Sequence, residues 1–382
     1  MKKVGMSFFG SVFVVLTVVL AGCGKGSVDE GMTVFDQTNV PVTIVAAPNV
    51  MYITKDHRVV IKGRLELSDN KYYYIKDPVV INNMYGAYAL SENSSGYYLT
   101  ENTQYIIKTD GTVWEMHMEE PTPDNDFVFT QVEGLENCVK ICVSALHTVA
   151  LLKDGTVWAW GDNGDGQLGT GTKESSESPV KVKGLANIVD ISVSGLSNTA
   201  LASNGDLYYW GSKSSPNESD IVRTPKKINH EGTIKKLGAS RLLMDNGEVL
   251  RLYDKKLSPL SDKYLLNPEA MDKIENKSTI TPFGELLVLS EEGVVSEVTF
   301  RVPIPDYPPK ESIITLQDLP KMIAIASGDY ICVAIAEDGS IWLWGQDRSL
   351  DGDFFYQFSE WPKCIIDSET IQNEGIPFVS LK

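Results

Sequence analysis

The 382 residues include 51 acidic side chains against 34 basic ones, a formal charge of −17. Such a body opposes contact with nucleic acid or anionic lipid head groups, and no basic run offsets it. The chain is also large enough to build a core without disulfide staples.

The first element is a leader. Lys2 and Lys3 precede an apolar stretch from Met6 to Leu20, the pattern of a secretory signal. It ends in Leu20-Ala21-Gly22-Cys23, which resembles the bacterial lipobox. That resemblance implies cleavage before Cys23, acylation of Cys23 (diacylglyceryl and palmitate-type chains) and anchoring of the mature chain on the extracytoplasmic side of a cell membrane. Residues 1–22 are therefore expected to be a lipoprotein signal peptide, and loss of Lys2 and Lys3 takes the charge from −17 to −19. Residues 23–38, with Gly24, Gly26, Ser27 and Gly31, are expected to be a short flexible tether.

From residue 39 onward one phrase recurs. Its fullest copy runs Ser144-Ala145-Leu146-His147-Thr148-Val149-Ala150-Leu151-Leu152-Lys153-Asp154-Gly155-Thr156-Val157-Trp158-Ala159-Trp160-Gly161. Echoes turn at Asn204-Gly205 and Asp338-Gly339, and weaker copies at Asp56-His57, Asp110-Gly111, Asn246-Gly247 and Glu292-Gly293. Seven turns at a mean spacing of about 47 residues mark a repeat architecture. Each phrase predicts a β-hairpin with a two-residue type I′ turn at Asp-Gly or Asn-Gly. The second run is apolar at both parities, Val157 and Ala159 against Trp158 and Trp160, so both of its faces need cover. Asn187–Val193 and Pro179–Val182 predict two further strands, about four per unit. Radially stacked four-stranded sheets satisfy these demands, and seven units predict an all-β, seven-bladed β-propeller over residues 39–382. A β-sandwich with the same turns is the competing fold. The strand-like Trp361–Ile366, with no such strand ahead of the first unit, predicts that the last strand completes the first blade and so removes exposed edges.

The string from His147 to Leu151, continued through Trp160-Gly161-Asp162-Asn163 and Gly166-Gln167-Leu168-Gly169, resembles the repeat of the RCC1 (regulator of chromosome condensation) family. The match is specific in the third unit, good in the fourth and seventh, and degenerate elsewhere. The resemblance implies the same seven-bladed propeller. Known activities within that family range from nucleotide exchange on a small GTPase to inhibition of β-lactamase, so function does not follow from the fold.

Several patterns tempt a chemical assignment. Gly164-Asp165-Gly166-Gln167-Leu168-Gly169 fits G-x-G-x-x-G, but a strand rather than a helix is predicted to follow it, and a pyrophosphate site needs the helix N-terminus. Asp162, Asn163 and Asp165 hint at calcium, yet Gly164 and Gly166 hold alternate ligand positions. The histidines are His57, His117, His147 and His230; His147 stands at the repeat's own histidine position, where a structural role is expected. Cys138, Cys142, Cys332 and Cys364 form no metal-ligand spacing and are expected to be buried free thiols, with oxidation in an exported protein the alternative. Tyr72-Tyr73-Tyr74 and Tyr97-Tyr98 are either contact surface or blade packing, and Pro303, Pro305, Pro308 and Pro309 mark a loop that cannot join a central strand and is expected to project from one face.

No nucleophile elbow, metalloprotease helix or placed carboxylate pair occurs. The expectation is a monomeric, lipid-anchored, non-enzymatic propeller, without cofactor or metal, that presents face loops to a protein partner in a bacterial cell envelope. The alternatives are an enzyme or carbohydrate-active protein with a site in the central funnel, and a guanine-nucleotide exchange factor by family analogy.

Overall fold

A computed structural model describes residues 44–46, 49–54, 56–66, 72–93, 103–117, 127–144, 146–212, 221–238, 241–245, 249–253, 256–259, 279–280, 286–289, 292–299, 312–316, 318–327, 331–347 and 357–366. These are strands and turns, with no helix among the described residues. The first sheet comprises β1 (Ile44–Ala46), β2 (Asn49–Ile53), β3 (Arg58–Glu66) and β4 (Tyr72–Tyr85). The second holds β5 (Ala87–Leu90), followed in the chain by the two-residue β6 (Glu92–Asn93), then β7 (Gln104–Lys108), β8 (Val113–His117) and β9 (Val128–Gln131). The third is β10 (Cys138–Val143), β11 (His147–Leu152), β12 (Val157–Gly161) and β13 (Ser176–Lys181). The fourth is β14 (Ile188–Ser194), β15 (Ser197–Ala202), β16 (Leu207–Gly211) and β17 (Val222–Ile228). The fifth is β18 (Ile234–Gly238), β19 (Arg241–Met244), β20 (Val249–Tyr253) and β21 (Lys256–Pro259). The sixth is β22 (Thr279–Ile280), β23 (Leu286–Leu289), β24 (Val295–Thr299) and β25 (Ser312–Thr315). The seventh is β26 (Met322–Ser327), β27 (Ile331–Ala336), β28 (Ile341–Asp347) and β29 (Gln357–Ile366).

Within each sheet the four strands pair antiparallel in chain order. First strands of successive sheets approach one another, β10 with β14, β14 with β18, β22 with β26 and β1 with β26, which places them around the axis of the propeller. The third sheet carries one addition: β6 pairs parallel to the axial side of β10, Cys142 opposite Glu92 and Val143 opposite Asn93.

The hairpin at Asp154-Gly155 differs from the expected type I′ turn. Gly155 alone is left-handed, at φ +76°, and its N–H donates to Leu152 O at 2.9 Å while Leu152 N donates to Thr156 O at 2.9 Å. This is a three-residue loop closed by glycine. The Asp154 carboxylate accepts from Thr156 N and Oγ1 at 2.9 and 2.7 Å, and Trp158 Nε1 donates to that hydroxyl at 3.3 Å. Asp110-Thr112-Trp114 and Asp338-Ser340-Trp342 repeat the arrangement. The residue in the glycine slot then offers its carbonyl to the next sheet: His57 O accepts from Ala87 N, Gly111 O from Cys138 N, Gly155 O from Ile188 N and Gly293 O from Met322 N. At the fourth unit His230 Nε2 donates to Gly205 O instead, at 2.9 Å.

Both faces of the double-apolar strands are covered as expected. Val149, Leu151, Val157 and Ala159 pack toward the fourth sheet with Ile191, Ala200 and Trp210, whereas Ala150 and Trp160 pack toward the second with Tyr105 and Ile107. Pro179, Pro225 and Pro259 stand in the fourth strands, β13, β17 and β21, where the missing N–H discourages edge pairing.

Closure differs from the expected strand exchange. β29 pairs with β28 inside the seventh sheet, Trp342 opposite Cys364, and β1 supplies the first sheet's own first strand. The ends of the ring meet by packing: Val50, Tyr52 and Val60 of the first sheet share a core with Ile323, Val333, Ile335, Ile341 and Leu343 of the seventh. Apolar faces on neighbouring sheets are enough to close the ring, so no tail strand is needed to cover an open edge.

Candidate functional site

Antiparallel order fixes two faces. The tight Asp-Gly turns between second and third strands all emerge on one, called here the turn face. Connections between first and second strands, and between third and fourth, emerge on the other, the connection face. Four residues separate β11 from β12 on the turn face, whereas the third-to-fourth connections range from two residues after β20 to fourteen after β12. The third-to-fourth connections therefore vary in length where the Asp-Gly turns do not. The links from one sheet to the next, which emerge on the turn face, also vary, from one residue between β4 and β5 to nineteen between β21 and β22.

The fourteen-residue connection, 162–175, is folded around its own side chains. Asn163 is fully buried; its Oδ1 accepts from Leu168 N at 2.9 Å and its Nδ2 donates to Glu174 O at 2.9 Å. Gln167 Nε2 donates to Asp162 Oδ2 at 2.9 Å, and Ser175 Oγ donates to Asp162 Oδ1 at 3.1 Å. Burial works against charge on Asp162, but these donors and the N–H groups of Gly164 and Asn163 hold its carboxyl below the usual range. Both oxygens that would ligate calcium are thus engaged by protein donors. The glycines of the G-x-G-x-x-G string serve packing: a Cβ on Gly169 would lie 2.7 Å from Val182 Cγ1, and one on Gly166 would lie 3.0 Å from Arg223 Cα.

This connection also joins the third sheet to the fourth. Asn198 Nδ2 and Trp210 Nε1 both donate to Gln167 O, at 3.0 and 2.8 Å. His147 Nε2 donates to Asn198 Oδ1 at 2.6 Å, while its buried Nδ1 has no partner among the described residues. Burial pushes the His147 imidazole down to about 4, with the Asn198 bond and the Asp162 charge opposing. His147 is therefore a neutral donor in the seam. The other histidines also bond within the fold: His57 Nδ1 to Ala87 O, and His117 with the Thr130 hydroxyl.

The axial channel holds a charged cluster. On β10, β14 and β18 the register shifts at the second residue, and Lys140, Asp190 and Lys236 follow that shift at equivalent positions. Lys140 Nζ lies 2.9 Å from Asp190 Oδ1 and 3.0 Å from Glu92 Oε2. The Glu92 side chain is 63% exposed, against 23% for Lys140 and 20% for Asp190, so Glu92 is the partner that water can most readily replace. Burial opposes the charge of Lys140, but Asp190 and Glu92 outweigh it and raise its pKa. Burial, together with the neighbouring Lys140, holds Lys236 below the ordinary lysine range despite the two carboxylates. Cys142 Sγ lies 3.9 Å from Glu92 Oε2 and 3.5 Å from Ile191 O; burial pushes its thiol up, which leaves it a poor nucleophile.

Cys138, Cys142 and Cys332 are buried free thiols, whereas Cys364 is only half-buried, because β29 is an outer strand of the seventh sheet. Tyr72, Tyr73 and Tyr74 lie in β4, opposite Glu66, Leu65 and Arg64. Cys23, the 23–38 tether, Tyr97-Tyr98 and the Pro303–Pro309 loop lie outside the described residues. Sequence reasoning missed the channel cluster. Its signal was present in the repeat itself: Lys140, Asp190 and Lys236 share one position in consecutive units.

With this geometry in hand, the comparisons with known proteins are specific. Residues 154–201 match the family model of the regulator of chromosome condensation (RCC1) repeat, and residues 138–167 match a second model of that repeat. A stretch of 51 residues, 13% of this chain, is 43% identical to the E3 ubiquitin-protein ligase HERC2 of human and of mouse. The match spans about 1% of the length of those curated relatives. In fold the chain is similar to one in the crystal structure of Kap60 bound to yeast RCC1 (Prp20), at 15% identity, with 91% of this chain and 90% of that chain covered and a TM-score of 0.58.

Proposed function

We propose that this RCC1-like repeat propeller is a lipid-anchored, extracytoplasmic binding module, not an enzyme, that engages a protein partner through its connection face. The observation that carries the proposal is the contrast between the two sets of hairpin connections. The second-to-third turns are short and, in five units, stitched to the next sheet or its approach by a hydrogen bond, whereas the third-to-fourth connections on the opposite face range from two to fourteen residues and differ in sequence. Surfaces that vary on a rigid scaffold are where recognition resides. The connections after β8 and β12 contain Glu119, Glu120, Asp124 and Asp126, then Asp162, Asp165 and Glu174. A partner with a basic contact surface complements them. Lys2, Lys3, the apolar Met6–Leu20 and Leu20-Ala21-Gly22-Cys23 support the anchor, with acyl chains on Cys23 as the membrane attachment.

The test is quantitative capture from envelope membranes by the purified full-length chain. One protein should be retained at near-stoichiometric yield, and its yield should fall as salt rises from 0.05 to 0.5 M, because screening weakens charge complementarity at roughly 10 Å and beyond. Retention of nothing above the level of an unrelated propeller contradicts the proposal.

A further inference from the structure

The parallel pairing of β6 with β10 has no counterpart in the other described sheets. In the third sheet the axial edge of the first strand is covered by the two residues of β6, which follow the second sheet's first strand in the chain. Three features make this edge selective. Its backbone accepts a parallel strand, shown by Cys142 opposite Glu92 and Val143 opposite Asn93. A lysine stands two residues before Cys142, and its ammonium reaches the carboxylate of the incoming strand at 3.0 Å. That lysine keeps a second, more buried partner in Asp190 at 2.9 Å, so it stays ordered when Glu92 leaves.

The covering strand is itself weakly held. It is two residues long, and the ion pair from Glu92 to Lys140 involves a carboxylate that is 63% exposed, a kind of pair that water and salt weaken. β6 also runs toward the connection face, since β10 ends there at Val143 and the chain turns back through Leu146. A partner seated on that face could feed an extended segment along the same path.

From these observations we propose that the axial edge of β10 is a strand-docking edge, occupied in cis by β6, that accepts from the partner an extended peptide carrying a carboxylate at the position of Glu92. This is strand addition to a sheet edge, with main-chain hydrogen bonds for affinity and Lys140 for specificity. The inference rests on the protein-binding function above and adds the site and the form of the ligand. It also gives Lys140 a binding role beyond tying the third sheet to the fourth through Asp190.

The probe is a fluorescein-labelled peptide with the sequence of residues 87–96, titrated into the full-length chain by fluorescence anisotropy. Glu92→Lys in the protein places like charges together and releases the cis strand, so the probe should bind that variant at least about 10-fold more tightly than the unaltered chain. A probe in which glutamine replaces the glutamate should bind at least about 5-fold more weakly. Equal affinities for the two proteins, or for the two probes, overturn the inference, as does the absence of saturable binding. A second measurement covers the case in which Glu92→Lys does not fold. In a chain with Cys138, Cys332 and Cys364 changed to serine, Glu92→Gln should raise the rate of Cys142 labelling by a maleimide at least about 5-fold at unchanged melting temperature, because Glu92 stands over that sulfur. An unchanged rate overturns the inference. Envelope capture that persists in Lys140→Met alongside failed probe binding removes the docking edge and leaves the face-binding function standing.

Discussion

Acidification should loosen the seam between the third and fourth sheets, and His147 sets the size of the effect. In the folded chain its Nε2 donates to Asn198 and its buried Nδ1 has no partner among the described residues, so a second proton finds no acceptor there. The imidazole titrates near 4 when folded and at the ordinary 6.5 when unfolded. Above pH 6.5 both states are neutral and the group contributes no pH dependence. Below it the unfolded chain binds a proton that the folded chain refuses, so stability falls as pH drops and levels off below about 4. At 1.36 kcal/mol per pH unit the full loss is about 3 kcal/mol, of which about 2 kcal/mol is present at pH 5. Urea unfolding of the unaltered chain and of His147→Gln, each at pH 7.5 and 5.0, isolates the contribution. The unaltered chain should lose about 2 kcal/mol more than the variant across that interval. Equal losses would show that His147 is accessible to protons in the folded state, and the buried-seam assignment would fail.

Three other outcomes follow from the geometry. Tyr52 buries its hydroxyl in the closing seam with no partner among the described residues, so Tyr52→Phe should be neutral or stabilise by about 1 kcal/mol; a loss above about 1 kcal/mol in thermal unfolding contradicts this. Gly161 sits at φ +104° with a Cβ position 2.5 Å from Leu146 O, whereas Gly184, at φ +74°, faces open space. Gly161→Ala should therefore cost about 3 kcal/mol or more and Gly184→Ala about 1 kcal/mol, and comparable costs in denaturant unfolding would refute the contact. Cys23→Ala should abolish acylation and move the protein out of the membrane fraction in a soluble or uncut form; membrane retention of a correctly cut, unacylated protein contradicts the anchor.

Much of the fold was legible because each repeat encodes its own hairpin. Asp154-Gly155-Thr156 and its two close relatives specify a turn, a glycine and a tryptophan support within five residues, and local chemistry of that kind survives in a single sequence. The turn subtype was missed because the Asp carboxylate works as a hydrogen-bond acceptor for Thr156 and its own backbone stays outside the left-handed region. Ring closure was missed for the opposite reason. The match between Trp361–Ile366 and an earlier strand suggested a role in the first blade, but a strand's partner is decided by packing between residues hundreds of positions apart, here Val50 and Tyr52 against Val333 and Leu343. The Gly164–Gly169 string was legible as a loop because a strand, not a helix, was expected after it, and His147 as structural from its place in the repeat; the parts Asn163 and Gln167 play in holding that loop were not. The channel cluster was not, because Lys140, Asp190 and Lys236 are about 50 residues apart and each alone reads as an ordinary solvated charge. Only the propeller axis brings them together.

The central claim is that one face of this propeller binds protein. Site-specific photo-crosslinking in intact cells tests it most directly, with the photoreactive residue placed at Lys173 or Leu146 on the connection face, at Asp154 on the turn face and at Glu177 on the outer strand β13, all exposed positions. Discrete adducts from Lys173 or Leu146, with none from Asp154 or Glu177, are the result expected. Adducts confined to the turn face or the rim, or none from any position, would contradict the account.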